Sequence, residues 1–167
     1  MTTAAAAGTP VERRIASNIA GEGLPITSGA TPVAVASAAT IEHLRRHAPE
    51  VRSVLAVGAE GMETELREAG LAVVMAADRS MADHDGGRLG RRFDAVIVGL
   101  DPHVDYRRLS VAMRAVLDGA RLIATNADAR YPTTVGFLPG AGSIVADVEV
   151  TISSAAAAIP IRARRVT

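Results

Sequence analysis

Several short stretches of the chain gather residue types that can do chemistry. Asp83-His84-Asp85-Gly86-Gly87 places two carboxylates at i and i+2, a spacing that can share a divalent cation, and a DxDG run after an apolar strand marks phosphoryl transfer. The preceding Ala77 to Ala82 is not an apolar strand that would hold the first carboxylate at a sheet edge. A solvated acidic turn is therefore expected, with a small metal-dependent enzyme using Asp83 and Asp85 as the alternative. Gly58-Ala59-Glu60-Gly61 lies between a strand and a helix, where backbone amides can receive a phosphate. It lacks the third glycine of a dinucleotide fingerprint, which favours an ordinary strand-to-helix turn. Asp101, followed by Pro102, His103, Asp105 and Tyr106, ends an apolar strand, where open α/β sheets present functional side chains. Capping of the next helix by Asp101 or Asp105 accounts for these carboxylates equally well. The run from Thr125 to Pro132 collects an amide, a carboxylate, a guanidinium and a phenol in Asn126, Asp128, Arg130 and Tyr131. Arg130 could pair with an anionic group and Tyr131 could supply a flat wall with a hydroxyl tip, while an Asx-turn through Asn126 and Asp128 is the structural alternative. His43 and His47 are spaced i, i+4 without the glutamate of an HExxH site and beside Arg45 and Arg46, which points to a solvated helix face.

These residues need a scaffold, and the hydrophobic periodicity supplies one. Val11, Ile15 and Ile19 make a helical stripe from Pro10 to Gly21. Thr31 as N-cap and Pro32 at the first helical position open a second helix that runs to His47, before Pro49. Short β-branched runs at Val51 to Gly58, Leu71 to Met75, Phe93 to Leu100 and Arg121 to Thr125 read as strands. Helices are expected at Glu60 to Ala69, closing on Gly70, at Tyr106 to Leu117, ending at Gly119, and at about Pro139 to Val150. Residues 76 to 92 read as a solvated loop with a mobile tip, and 151 to 167 as an irregular tail. Alternating strands and helices with short connections predict an α/β fold: a mostly parallel sheet with flanking helices.

Composition narrows the chemistry further. The 167 residues are 49% hydrophobic and 22% charged, with a mean hydropathy of +0.22 and no apolar run long enough for a bilayer span, so a soluble globular chain is expected. Eighteen basic residues balance eighteen acidic ones, leaving no net field to hold nucleic acid or an anionic membrane. Cysteine is absent, which excludes disulfides and thiolate chemistry, and all eighteen cations are arginine. An arginine stays protonated, so Schiff-base and lysine-clamp mechanisms are excluded as well. Met1 to Pro10 has neither a basic stretch nor a Leu-rich core, so a cytoplasmic location is expected.

The stretch FDAVIVGLDPHVDYRRLSVAMRAVLDGARLIATNADARYPTTVGFLPGAGSIVA, residues 93 to 146, resembles the NagD-like, or p-nitrophenylphosphatase-like, class IIA branch of the haloacid dehalogenase superfamily. The matching blocks come in order: an apolar strand with VGLD, a Tyr-led helix, GARxIATNxD and a Pro-Gly-Ala-Gly helix start. SVLAVGAEGMETELREAGLAVV at 53 to 74 fits the preceding part of the same C2-type cap domain, and the Thr-Pro helix near residue 10 with GLPIT at 23 to 27 fits more loosely. The resemblance covers about residues 9 to 148.

It implies a Mg²⁺-dependent phosphatase family built from a Rossmann-like core and a large α/β cap. The core's motifs do not appear in this chain: an apolar-strand DxD, a TNN segment, a catalytic lysine and GDxxxxD. Where the family continues toward Gly-Lys-Pro, this chain reads TISSAAAAIPIRARRVT. The resemblance thus implies residues 1–30 as a segment with a core-like helix, 31–138 as a cap-like domain, 139–150 as a core-like helix and 151–167 as the tail. Phosphoryl transfer needs charge compensation at the transferring group. The expectation is a truncated or frameshifted sugar or small-molecule phosphatase homologue without turnover of its own and with no cofactor in this chain, magnesium belonging to complete members. Carried onto this chain, the family's cap loop places substrate selection on Asn126, Asp128, Arg130 and Tyr131, with Asp101 in support. A phosphorylated small molecule is then a partner only when a catalytic core is supplied. The alternative is a stand-alone binding module, or one that forms a homodimer through the cap.

Overall fold

A computed structural model describes residues 32–81 and 89–157. The helix expected at Pro10 to Gly21, the Thr31 cap, the Asp83 and Asp85 motif and the arginine-rich end of the tail lie outside the described residues.

The chain runs α1 (Pro32–His47), β1 (Ser53–Val57), α2 (Glu60–Glu68), β2 (Ala72–Met75), a 3-10 turn (Arg79–Met81), β3 (Ala95–Val98), α3 (Tyr106–Leu117), β4 (Arg121–Ala124), β5 (Arg130–Thr133), β6 (Gly136–Pro139) and α4 (Ala141–Ala157). Strands β1 to β4 form one parallel sheet in the order β2-β1-β3-β4, and β5 pairs antiparallel with β6. The expected α/β architecture is present.

The sheet is buried on both faces, which is why β1 and β3 are nearly unbroken apolar runs in sequence. Alternate residues serve opposite layers. Val54, Ala56, Ile97 and Ile123 pack with Met62 and Leu66 of α2 and Leu44 of α1. Leu55, Val57, Val96, Val98, Leu122 and Ala124 pack with Val111 and Ala115 of α3 and with Ile144, Val148 and Ile152 of α4.

Helix ends follow their local chemistry. The Asp105 carboxylate accepts from Arg108 N at 2.8 Å and caps α3. Both α2 and α3 end on a glycine in the left-handed region, Gly70 (φ +88°) and Gly119 (φ +109°). In each case the next residue donates back five positions, Leu71 N to Leu66 O and Ala120 N to Ala115 O, which satisfies carbonyls the helix leaves open.

Two expectations are corrected. The last helix does not stop near Val150 but continues to Ala157, so residues 151–157 are helix rather than irregular tail. Its apolar stripe extends one more turn to Ile152, which is buried against the sheet layer, and alanine sustains a helix without needing a partner. The second correction is the hairpin. Thr125 to Pro132 reads as one loop in the sequence and Pro139 as the start of the last helix, yet Arg130–Thr133 and Gly136–Pro139 are paired strands, prolines being compatible with a strand at a sheet edge.

At the amino edge of the sheet, Asp94 ties β3 to β1. Its Oδ2 accepts from Arg52 N (2.9 Å), Ser53 N (2.8 Å) and Ser53 Oγ (2.9 Å). The Ser53 and Arg52 amides, followed by the Ser53 hydroxyl and the Arg52 charge, hold the Asp94 carboxyl below the usual carboxylate range despite some opposing desolvation. The stabilisation is therefore present above the ordinary carboxylate pKa and is lost as pH falls through the lowered one. Asp94→Ala is expected to cost about 1–2 kcal/mol at neutral pH, with water replacing part of the lost bonding at this exposed position. Denaturant titrations should show that gap closing in strong acid, and a gap independent of pH would contradict the assignment.

Candidate functional site

The candidate residues are carried by two neighbouring structures at the carboxyl ends of the parallel strands: the segment after β4, and the turn after β3. Thr125, buried, follows β4, and Asn126 Nδ2 donates to Asp128 Oδ2 at 3.0 Å. These two side chains are brought together as a polar pair within the turn. The chain then enters β5. Arg130 pairs with Pro139 and Tyr131 with Leu138 across the hairpin, so successive residues occupy opposite faces. The Arg130 guanidinium lies over the Phe137 ring, 5.4 Å from its centre. Tyr131 shares the other face with Leu138. The four side chains of the sequence-based site thus split into an Asn126–Asp128 pair, an Arg130–Phe137 stack and a separate Tyr131.

The hairpin is seated on the start of α4. Gly140 N donates to Ala129 O and Gly142 N to Asp128 O, both at 3.0 Å, and Ser143 Oγ donates to Ala129 O at 2.9 Å. A two-stranded hairpin is marginal alone, so these contacts position it. Its outer end is apolar and open to solvent: Val135 is 95% exposed, Phe137 67% and Leu138 57%.

After β3, Asp101 is 4% exposed. Its Oδ1 accepts from His103 N at 2.9 Å, and Arg108 Nη1 lies 2.8 Å from Oδ1 and 2.7 Å from Oδ2. The division of labour between the two aspartates is now clear: Asp105 caps α3, and Asp101 closes its own turn and holds Arg108. The role of Arg108, and of Arg107 beside it, is not legible in the sequence, since two arginines in a first helical turn look like solvated charge. Arg107 donates to three successive carbonyls, Ala76 O (2.8 Å), Ala77 O (3.2 Å) and Asp78 O (2.6 Å).

His43 and His47 sit on α1 with ring centres 4.8 Å apart. Among the described residues no three histidine or carboxylate side chains converge to hold a metal ion.

Comparison with known proteins decides the relationship. Acid sugar phosphatase of Staphylococcus epidermidis is 34% identical over 119 residues, covering 71% of this chain and 40% of its own length. A p-nitrophenyl phosphatase from Bacillus subtilis, described as putative in its own name, superposes with a TM-score of 0.56 at 30% identity, over 71% of this chain and 40% of that one. The chain is a partial relative of the NagD-like haloacid dehalogenase phosphatases. Glycerol phosphate phosphatase from Mycobacterium tuberculosis, solved in complex with magnesium, superposes with a TM-score of 0.58 at 30% identity, over 71% of this chain and 32% of that one. No protein-family profile matches the chain. This NagD-like relative spans about 40% of the length of the curated phosphatases it matches. Among its described residues no helix is long and apolar enough to cross a membrane.

Proposed function

We propose that residues 32–157 form the substrate-selecting, cap-like unit of a haloacid-dehalogenase-like sugar or small-molecule phosphatase, acting in the cytoplasm, and that the chain has no turnover alone. The α4 helix belongs to this unit, since its apolar stripe is part of the layer beneath the sheet. The observation that carries the reading is the hairpin, which presents Arg130 and Tyr131 beside an uncovered apolar tip of Val135, Phe137 and Leu138. Exposed apolar side chains next to candidate recognition side chains suit closure over a second body that supplies the reacting groups. Such closure excludes water from the site, and Arg130, held by Phe137, offers a fixed guanidinium to an anionic group of a phosphorylated substrate. Asn126 and Asp128 set the path of the strand that carries it. Magnesium in complete relatives would supply charge compensation to the phosphoryl group.

The test is phosphate release from p-nitrophenyl phosphate with added magnesium. Purified chain is expected to give no release above buffer, and magnesium-dependent release would overturn the inactivity. Mixed with the separately produced core of a relative, the chain should confer activity whose KM rises about tenfold in Arg130→Ala, the worth of one charge-assisted bond.

The same exposed tip favours a second reading, a module that pairs with itself. Pairing through the β2 edge is disfavoured, because Arg67 Nη2 already donates to Val73 O at 3.0 Å. A dimer through the hairpin predicts a doubled mass by light scattering that returns to monomer in Phe137→Ser, and a monomer at all concentrations would exclude it.

A further inference from the structure

His43 and His47 lie on the last two turns of α1, at the amino edge of the sheet and so at the end opposite the hairpin. In His43-Leu44-Arg45-Arg46-His47 the spacing is that of a helical zinc motif whose glutamate is missing. In that motif the glutamate is the general base of a protease and not a ligand. Its absence removes the hydrolytic chemistry and leaves the two imidazole ligands in place.

Folding adds a geometry that spacing alone does not supply. Residues four apart share one helix face, and here the two ring centres are 4.8 Å apart with their planes inclined at 42°. An ion bound about 2.0 Å from one nitrogen of each ring lies about 3.2 Å from each ring centre. Two imidazoles on one ion therefore have centres about 4.5 Å apart at a right angle and about 5.2 Å apart at the tetrahedral angle. The observed separation falls between the two, so little side-chain freedom remains to be lost on binding. His47 is exposed and His43 half-buried, which leaves room for water in the remaining coordination positions.

The surrounding charge suits a cation. His47 is the last residue of α1, whose carboxyl end carries the negative pole of the helix. Arg46 is neutralised by Glu42, with 2.6 Å between Nε and Oε1. Arg45 is two positions from each histidine and lines a groove with Ile41 and Leu71 on another face of α1. Neutral imidazole nitrogens favour nickel, copper and zinc over magnesium, which takes oxygen ligands. We propose that His43 and His47 chelate one divalent ion of the nickel, copper or zinc class, with water completing its coordination. The ion fastens the end of α1, where Leu44 packs into the core layer with Val54 and Leu66, and so stabilises the folded chain.

Calorimetry with nickel chloride on the untagged full chain is expected to show one ion per chain, and the melting temperature should rise with nickel concentration. His43→Gln and His47→Gln should each weaken binding about tenfold or more, because the second bond of a chelate forms intramolecularly. Arg45→His in the His47→Gln background restores the number of histidines on another face of the helix and should not restore binding. Magnesium in excess should not displace nickel. Proton NMR of the unsubstituted chain gives a check that needs no variant: paramagnetic nickel should broaden the His43 and His47 ring signals before those of His84 and His103. Absence of binding by the unsubstituted chain, or first broadening at His84 or His103, would overturn the proposal. Undiminished binding by a folded His43→Gln or His47→Gln, rescue by Arg45→His, or displacement by magnesium would overturn it as well.

Discussion

Gly140→Ala is expected to lower stability by about 3 kcal/mol and to loosen the hairpin that carries Arg130 and Tyr131. A Cβ at Gly140 would overlap the carbonyl oxygen of Asp128 and press on Arg130 N, and one at Gly142 would overlap the carbonyl of Ala127. These neighbours are backbone atoms, which cannot turn aside as a flexible side chain does. At Gly58, in contrast, the crowding atom is the end of the Met62 side chain. Relief at Gly140 requires moving the 127–130 segment, and that breaks the bonds from Gly140 N, Gly142 N and Ser143 Oγ that seat it. The expected fall in melting temperature is on the order of 10 °C for a chain of this size. Limited proteolysis should then cut after Arg130. A Gly140→Ala variant that melts with the unsubstituted chain and resists cleavage would show that the hairpin is not held in this way.

Arg108→Met should cost a comparable amount, about 3 kcal/mol, because it strands a carboxylate rather than removing a surface charge. Asp101 is 4% exposed and the Arg108 side chain 20%, so water cannot take the place of the guanidinium. The remaining partner of Asp101 is the amide of His103. The double variant Asp101→Asn, Arg108→Met removes the stranded charge and should recover much of the loss, since an amide leaves no unpaired ion. Urea titration of the four proteins measures this directly as midpoint shifts at a constant slope. Strictly additive losses would mean that the two side chains act independently. The exposed Glu42–Arg46 pair on α1 makes the contrast, and breaking it should cost less than about 1 kcal/mol.

The periodic elements were readable from the residues alone. Tyr106 to Leu117 and Pro32 to His47 coincide with α3 and α1, because capping residues and apolar spacing act locally. The four strands of the parallel sheet fall within the expected runs, since a strand buried on both faces must be apolar throughout. The hairpin was not readable. Its eight strand residues include two prolines and two aromatics that face opposite ways, and what holds them is a set of bonds to the start of α4 that local pattern does not encode. The continuation of α4 past Val150 was missed for a similar reason: an alanine-rich end carries no stripe of its own, and Ile152 becomes meaningful only once there is a layer for it to enter.

The functional residues divide along the same line. Residue types and spacing sufficed for the α/β fold and the relationship to phosphatases, because these depend on short contiguous segments, and they singled out Asn126, Asp128, Arg130 and Tyr131 as candidates. Folding decided that Arg130 and Tyr131 face opposite ways, that Asp101 rather than Asp105 holds Arg108 through its side chain, and that Arg107 ties the start of α3 to the segment after β2. Each of those outcomes depends on groups brought together from distant parts of the chain, and such contacts are set by strand order and by which face of the sheet each helix covers.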